Sequence, residues 1–142
     1  MSAAPPARRA SLRRRFASAI YDLLIDVAIA MIATLPFILV AGDSTAGWRR
    51  HALQLWMLAW IGAYYVWYWT HGGQTLPMQT WRIRLVRADS GAAVNTGRAI
   101  HRYLLAVLGF AALGLGFLWA LVDRDRQFLH DRLAGTALVD VA

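Results

Sequence analysis

Three charged residues near the start of the chain have the spacing for chemistry inside a membrane. Arg15, Asp22 and Asp26 are seven and four positions apart. On an α-helix, Asp22 falls about 20° to one side of Arg15 and Asp26 about 20° to the other. All three share one stripe, with Ser18 beside it. Asp22 lies roughly 10 Å and Asp26 roughly 16 Å beyond Arg15 along the axis. An ionised Asp at the centre of a bilayer costs about 2.5–3.5 kcal/mol on insertion scales. Such carboxyls face other helices or a wet cavity, or they are protonated. Two chemistries fit: an ion or proton site, and a polar stripe that pins helix packing by hydrogen bonds. A basic partner is expected for Asp22, either Arg15 or an Arg from another segment such as Arg132. Asp26 is expected to be protonated or to face a polar cavity.

His130 beside Asp131 could relay protons. Asp131 could instead order the following turn by accepting backbone N–H bonds, and Gly135 and Thr136 at turn-like distance favour that role. His51, His71 and His101 are scattered, without metal-ligand spacing. The absence of Cys excludes thiol chemistry and disulfides. Gly72-Gly73 lacks the Gly-Lys-Ser/Thr ending of a phosphate loop. No spacing suggests a Ser-His-Asp arrangement. The expectation is a protein that is not an enzyme and holds no cofactor or metal.

The elements that must position these residues follow from composition. The chain has 142 residues, enough for one compact domain. It is 58% hydrophobic and 16% charged, against about 25% charged in soluble domains. That excludes a disordered chain and argues against a soluble one. Three hydrophobic segments, 16–40, 53–70 and 103–122, are each near the roughly 20 residues needed to cross a bilayer. The first is too long for a cleaved signal peptide and carries two Asp. Residues 1–15 read as a disordered basic leader, and 16–142 as the membrane domain.

A net charge of +7 could suggest nucleic-acid binding, but the arginines gather beside the apolar runs. That placement is what membrane topology requires. Five precede the first run, and Arg82, Arg84, Arg87, Arg98 and Arg102 lie between the second and third. The leader and the 71–102 segment are therefore expected in the cytoplasm, with the 41–52 connection outside. Gly109, Gly114 and Gly116 leave two readings of the third segment: a broken or re-entrant helix, or close helix packing. The aromatic residues of the second segment read as anchors and packing. Trp81, Ile83 and Leu85 alternate with Arg82 and Arg84, which predicts a strand. Residues 136–141 are its expected partner, and the Arg stripe would face anionic headgroups. The expected fold is an all-α membrane protein with three hydrophobic helical segments and a short cytoplasmic two-stranded element.

Five blocks carry a family resemblance: Arg14-Arg15-Phe16, Tyr21-Asp22, Gly73-Gln74-Thr75-Leu76, Trp81 to Val86, and Leu129-His130-Asp131-Arg132-Leu133-Ala134-Gly135-Thr136. The chain resembles the RDD family over roughly residues 14 to 140. These are small integral membrane proteins, mainly bacterial, named for one Arg and two Asp. The resemblance implies that Arg15, Asp22 and Asp131 carry those three residues, with Asp26 an additional acid. It also implies a location in the bacterial inner membrane. Gln74, Thr75, His130 and Arg132 join the candidate site because they lie in the two most specific blocks.

Two functions fit. One is transport or coupling of an ion or small solute, with Asp22 and Asp26 as cation ligands and Arg15 tuning them. The other is a non-transporting accessory or assembly subunit of a larger membrane complex. Three spans make a thin pathway, so transport would require a homo-oligomer or another membrane protein as partner.

Overall fold

The computed structural model describes residues 7–141. Helix α1 runs Leu12–Ala41 and α2 runs Gly47–Thr70. A one-turn helix α3 (Leu76–Thr80) leads into strand β1 (Ile83–Arg87). Helix α4 (Thr96–Ala111) is followed by the short α5 (Leu115–Leu118) and a 3-10 turn at Trp119–Leu121. Helix α6 (Leu129–Ala134) and strand β2 (Thr136–Asp140) end the chain.

The Ser11 side chain caps α1 by accepting from the Arg14 N–H. The 30 residues of α1 span about 45 Å, more than a hydrocarbon core of about 30 Å. Leu35, Leu39 and Val40 stand exposed on its distal half. Helix α2 returns alongside it, tied by Trp56 Nε1 donating to the Ala33 carbonyl at 2.8 Å. The connection is Gly42–Ala46 alone, so Arg49 and Arg50 belong to the first turn of α2 rather than to a loop.

By length and apolar character, α1 is the one continuous helix among the described residues suited to cross a bilayer. Helix α4 and the Leu115–Leu121 segment qualify together, but they are bent by 104°. The third hydrophobic segment is therefore broken. The break falls at Leu113 and Gly114, both with positive φ. Beyond it the two arms pack through glycine. A Cβ on Gly116 would come within 2.8 Å of the Gly109 Cα. Both readings of the three glycines hold, at different positions.

Strands β1 and β2 pair antiparallel, with Ile83 opposite Asp140 and Arg87 opposite Thr136. Ile83, Leu85 and Leu138 enter a core with Trp69, Val94, Ala99, Ala120 and Phe128. This core joins the sheet, the end of α2, the start of α4 and the 3-10 turn after α5. The expected disordered leader does not extend to residue 15. Helix α1 already begins at Leu12, Ala10 is buried, and Arg9 bridges Val139 of β2. Backbone donors of this stretch find partners on β2, which fixes it. The earlier part of the leader, residues 1–6, lies outside the described residues.

Candidate functional site

Arg15, Ser18 and Asp22 are buried, while Tyr21, Leu23 and Leu24 around them are exposed. The stripe predicted from spacing therefore faces protein. What it meets comes from α2 and from the loop after it. Thr75 Oγ1 donates to Asp22 Oδ2 at 3.0 Å. The Tyr64 hydroxyl lies 3.5 Å from Asp22 Oδ1 and itself accepts the Leu76 N–H at 3.3 Å. One turn deeper, the Tyr65 hydroxyl donates to Asp26 Oδ2 at 3.0 Å. Asp26 Oδ1 is buried without a partner. Tyr65 is held in place against Trp69 and Tyr103, with ring centroids 5.0 Å and 6.0 Å away.

The ion pair expected for Asp22 is not formed. Arg15 lies with its guanidinium 6.0 Å from the Phe128 ring centre, and its buried Nε has no partner. Arg132 is drawn away to Asp123 and Asp125, at 2.8 Å and 3.2 Å. Hydroxyls take the place of the cation because Tyr64 and Thr75 reach the carboxylate and neither arginine does. Asp26 is half-buried against α2 and bonded to the Tyr65 phenol.

Thr75 reaches Asp22 because its loop is fixed on both sides. Gly73 has φ +72°, and a Cβ there would lie 2.6 Å from the Leu85 carbonyl oxygen. That approach lets the Leu85 N–H donate to the Gly73 carbonyl at 2.7 Å. Gln74 Nε2 donates to the Ile83 carbonyl at 2.8 Å, so Gln74 supports the loop rather than the carboxylates.

Asp131 is the second buried acid, 1% exposed at its side chain, and its partner is Arg102, 4% exposed. Arg102 Nε donates to Asp131 Oδ1 at 2.6 Å, and Thr136 Oγ1 donates to the same oxygen at 3.0 Å. The guanidinium also sits over the Trp69 ring, 4.3 Å from its centre. Asp131 thus binds a side chain of α4, not the backbone turn expected for it. Burial opposes its charge, but Arg102 holds the carboxyl below the usual carboxylate range. Burial pushes the His130 imidazole down to about 3, and Arg102 adds to that shift. His130 stacks on Phe128 and meets Phe117 edge-on. A ring packed in this way fills the core, and its buried Nδ1 has no hydrogen-bond partner.

The two acids are joined electrostatically as well as by the fold. Asp131 lies within electrostatic reach of Arg15, and Arg102 within reach of Asp22. All four residues are buried, but Arg102–Asp131 is the one ion pair among them in the described residues. The profile of the RDD family matches residues 9–135. The chain belongs to the RDD family. No curated protein and no solved structure matches it. In this RDD protein, of the Arg and two Asp of the resemblance, Asp131 binds Arg102, Asp22 binds the Thr75 and Tyr64 hydroxyls, and Arg15 lies against Phe128.

Sequence reasoning missed Arg102, Tyr64, Tyr65 and Trp69 as members of the site. By sequence, Arg102 belongs with the arginines of the 71–102 segment that mark topology. One signal was present: Arg102 immediately precedes the third apolar run, as Arg15 precedes the first.

Proposed function

We propose that this RDD protein is a multi-pass inner-membrane protein that transports or couples an ion or small solute, with Asp22 as the cation or proton ligand. One observation carries the reading. Asp22 and Asp26 sit one turn apart on an apolar helix, and neither forms a salt bridge among the described residues. Their hydrogen-bond partners are neutral hydroxyls. A carboxylate in hydrocarbon without a basic partner requires a proton or a cation to balance its charge. The donor set is oxygen only, which suits a proton or a hard cation. The site is a binding and transfer site rather than a catalytic one.

The proposed topology puts the leader, the sheet and the tail in the cytoplasm. Residues 8–10 contact β2, and β2 pairs with β1, so all three share one face of any bilayer. The arginine bias makes that face cytoplasmic. Helices α1 and α2 then cross and return. The bent α4–α5 pair enters and leaves on the same side, which fits its 104° angle and its glycine contact. Two crossings and one re-entrant hairpin enclose too little space for a pathway, so a homo-oligomer is part of the proposal.

The competing accessory-subunit reading is favoured by the closure of the site, since the Thr75 and Tyr64 hydroxyls are already committed to Asp22. Reconstitution separates the two. Proteoliposomes enclosing a proton-, sodium- or potassium-sensitive dye are given a gradient of the matching ion. Transport predicts dye response with wild type and none with Asp22→Asn of equal thermal stability. A wild-type protein silent under every gradient supports the accessory subunit.

A further inference from the structure

A second charged cluster lies outside the Asp22 site, where α1 meets the sheet. Arg8, Arg9, Ser11, Arg14 and Asp140 line an open cleft of about 290 Å³. Its walls are fixed by backbone hydrogen bonds. The Asp140 N–H donates to the Arg8 carbonyl at 2.7 Å, and the Ala10 N–H to the Leu138 carbonyl at 2.9 Å. Residues 8–10 thus lie as a third edge on β2, and Arg8 and Arg9 are held in position.

The charge in this cleft is unbalanced. Three guanidiniums face one carboxylate, Asp140, which Arg14 contacts at 3.1 Å. Arg9 has Asp125 at 3.8 Å, with both side chains nearly half exposed. A pair that open to water holds its partner weakly. Arg8 has no ion pair among the described residues. The first turn of α1 brings Arg13, Arg14 and Arg15 to the positive end of a long helix, and that turn holds no acid of its own. An anion in the cleft would relieve that repulsion. Guanidinium forks match the oxygens of a phosphate two at a time.

We propose that this cleft binds a phosphate group, and that the phosphate is the headgroup of an anionic phospholipid. The lipid source follows from what adjoins the cleft. Tyr21 and Ile32 fall within about 20° of Arg14 around α1, and they stand 52% and 70% exposed. An acyl chain could lie along them while its phosphate occupies the cleft, so headgroup and chain sites are continuous. A free phosphate would use the first and leave the second empty. The inference stands whether or not Asp22 binds a cation.

Native mass spectrometry of the full-length protein, released from a non-ionic detergent, tests it with phosphatidylglycerol, phosphatidylcholine and inorganic phosphate as probes. Saturable phosphatidylglycerol adducts are expected, with phosphatidylcholine far weaker. A basic residue near an anionic surface contributes about fivefold in binding, so R8Q/R9Q should weaken phosphatidylglycerol by about thirtyfold. R49Q/R50Q removes the same charge from the other end of the hairpin and should change nothing. R8K/R9K keeps the charge and loses the forked bonds, and a weakening of a few-fold is expected there even if the Gln variant folds poorly. Equal losses in R8Q/R9Q and R49Q/R50Q, or undiminished binding in R8K/R9K, would overturn the site. Inorganic phosphate binding as tightly as the lipid would overturn the headgroup assignment.

Discussion

The Thr75 hydroxyl donates to Asp22 Oδ2 over 3.0 Å, joining residues 53 positions apart. This bond fastens the loop before the sheet to the buried polar stripe of α1. Thr75 is fully buried, so no water replaces its hydroxyl when it is removed. Thr75→Val should destabilise the protein by about 1–3 kcal/mol through an undersatisfied carboxylate. Thr75→Ser should restore most of it. Thermal unfolding in detergent measures both, and a Val variant as stable as wild type would show that the bond is incidental.

The Arg102–Asp131 pair makes a larger prediction. Both side chains are buried, and each is the other's charge partner. Removing one strands the other, at about 3–5 kcal/mol. Arg102→Met and Asp131→Asn should each cost in that range, and the double variant should cost less than the sum. A double-mutant cycle in detergent checks this, and strict additivity would contradict the pairing.

How much of this was legible in the sequence depends on the interaction. Asp22 and Arg15 could be placed on one buried stripe because helical period fixes angular position. The β1–β2 pairing was legible because Ile83 and Leu85 alternate with Arg84 and the chain offers one late apolar strand to match. The partners of the acids were not legible. Whether Tyr64 or Arg15 reaches Asp22 depends on how α2 is rotated against α1, and the aromatic run looks the same in every rotation. Arg102 was hidden because a topology-marking arginine and a buried one have the same sequence context until α4 packs on α6.

His130 sets a pH dependence. Its folded value, about 3, lies below the ordinary 6.5, so the unfolded chain takes up a proton that the folded chain excludes. The stability it contributes is complete above about pH 6.5 and is lost as pH falls toward 3. Between those limits, stability should fall by about 1.4 kcal/mol per pH unit from this group. His130→Phe, which keeps a ring between Phe117 and Phe128, should flatten the curve between pH 4 and 6. Denaturation midpoints across that range measure it, and an unchanged slope in the variant would assign the dependence elsewhere.

The topology is testable because the chain has no Cys of its own. A Cys at Ser90, in the turn after β1, should be protected from an impermeant thiol reagent in intact cells. A Cys at Thr45, in the α1–α2 connection, should react. Labelling at Ser90 would invert the arrangement.

The central claim is that the Asp22 carboxyl itself takes up the cation or proton. Infrared difference spectroscopy of the reconstituted protein reads carboxyl bands directly as sodium, potassium or pH is changed. Wild type should show a carboxyl difference band that disappears in Asp22→Asn while the amide bands of the fold are unchanged. The same band in Asp22→Asn, or no carboxyl band in wild type under any of the three changes, would contradict it.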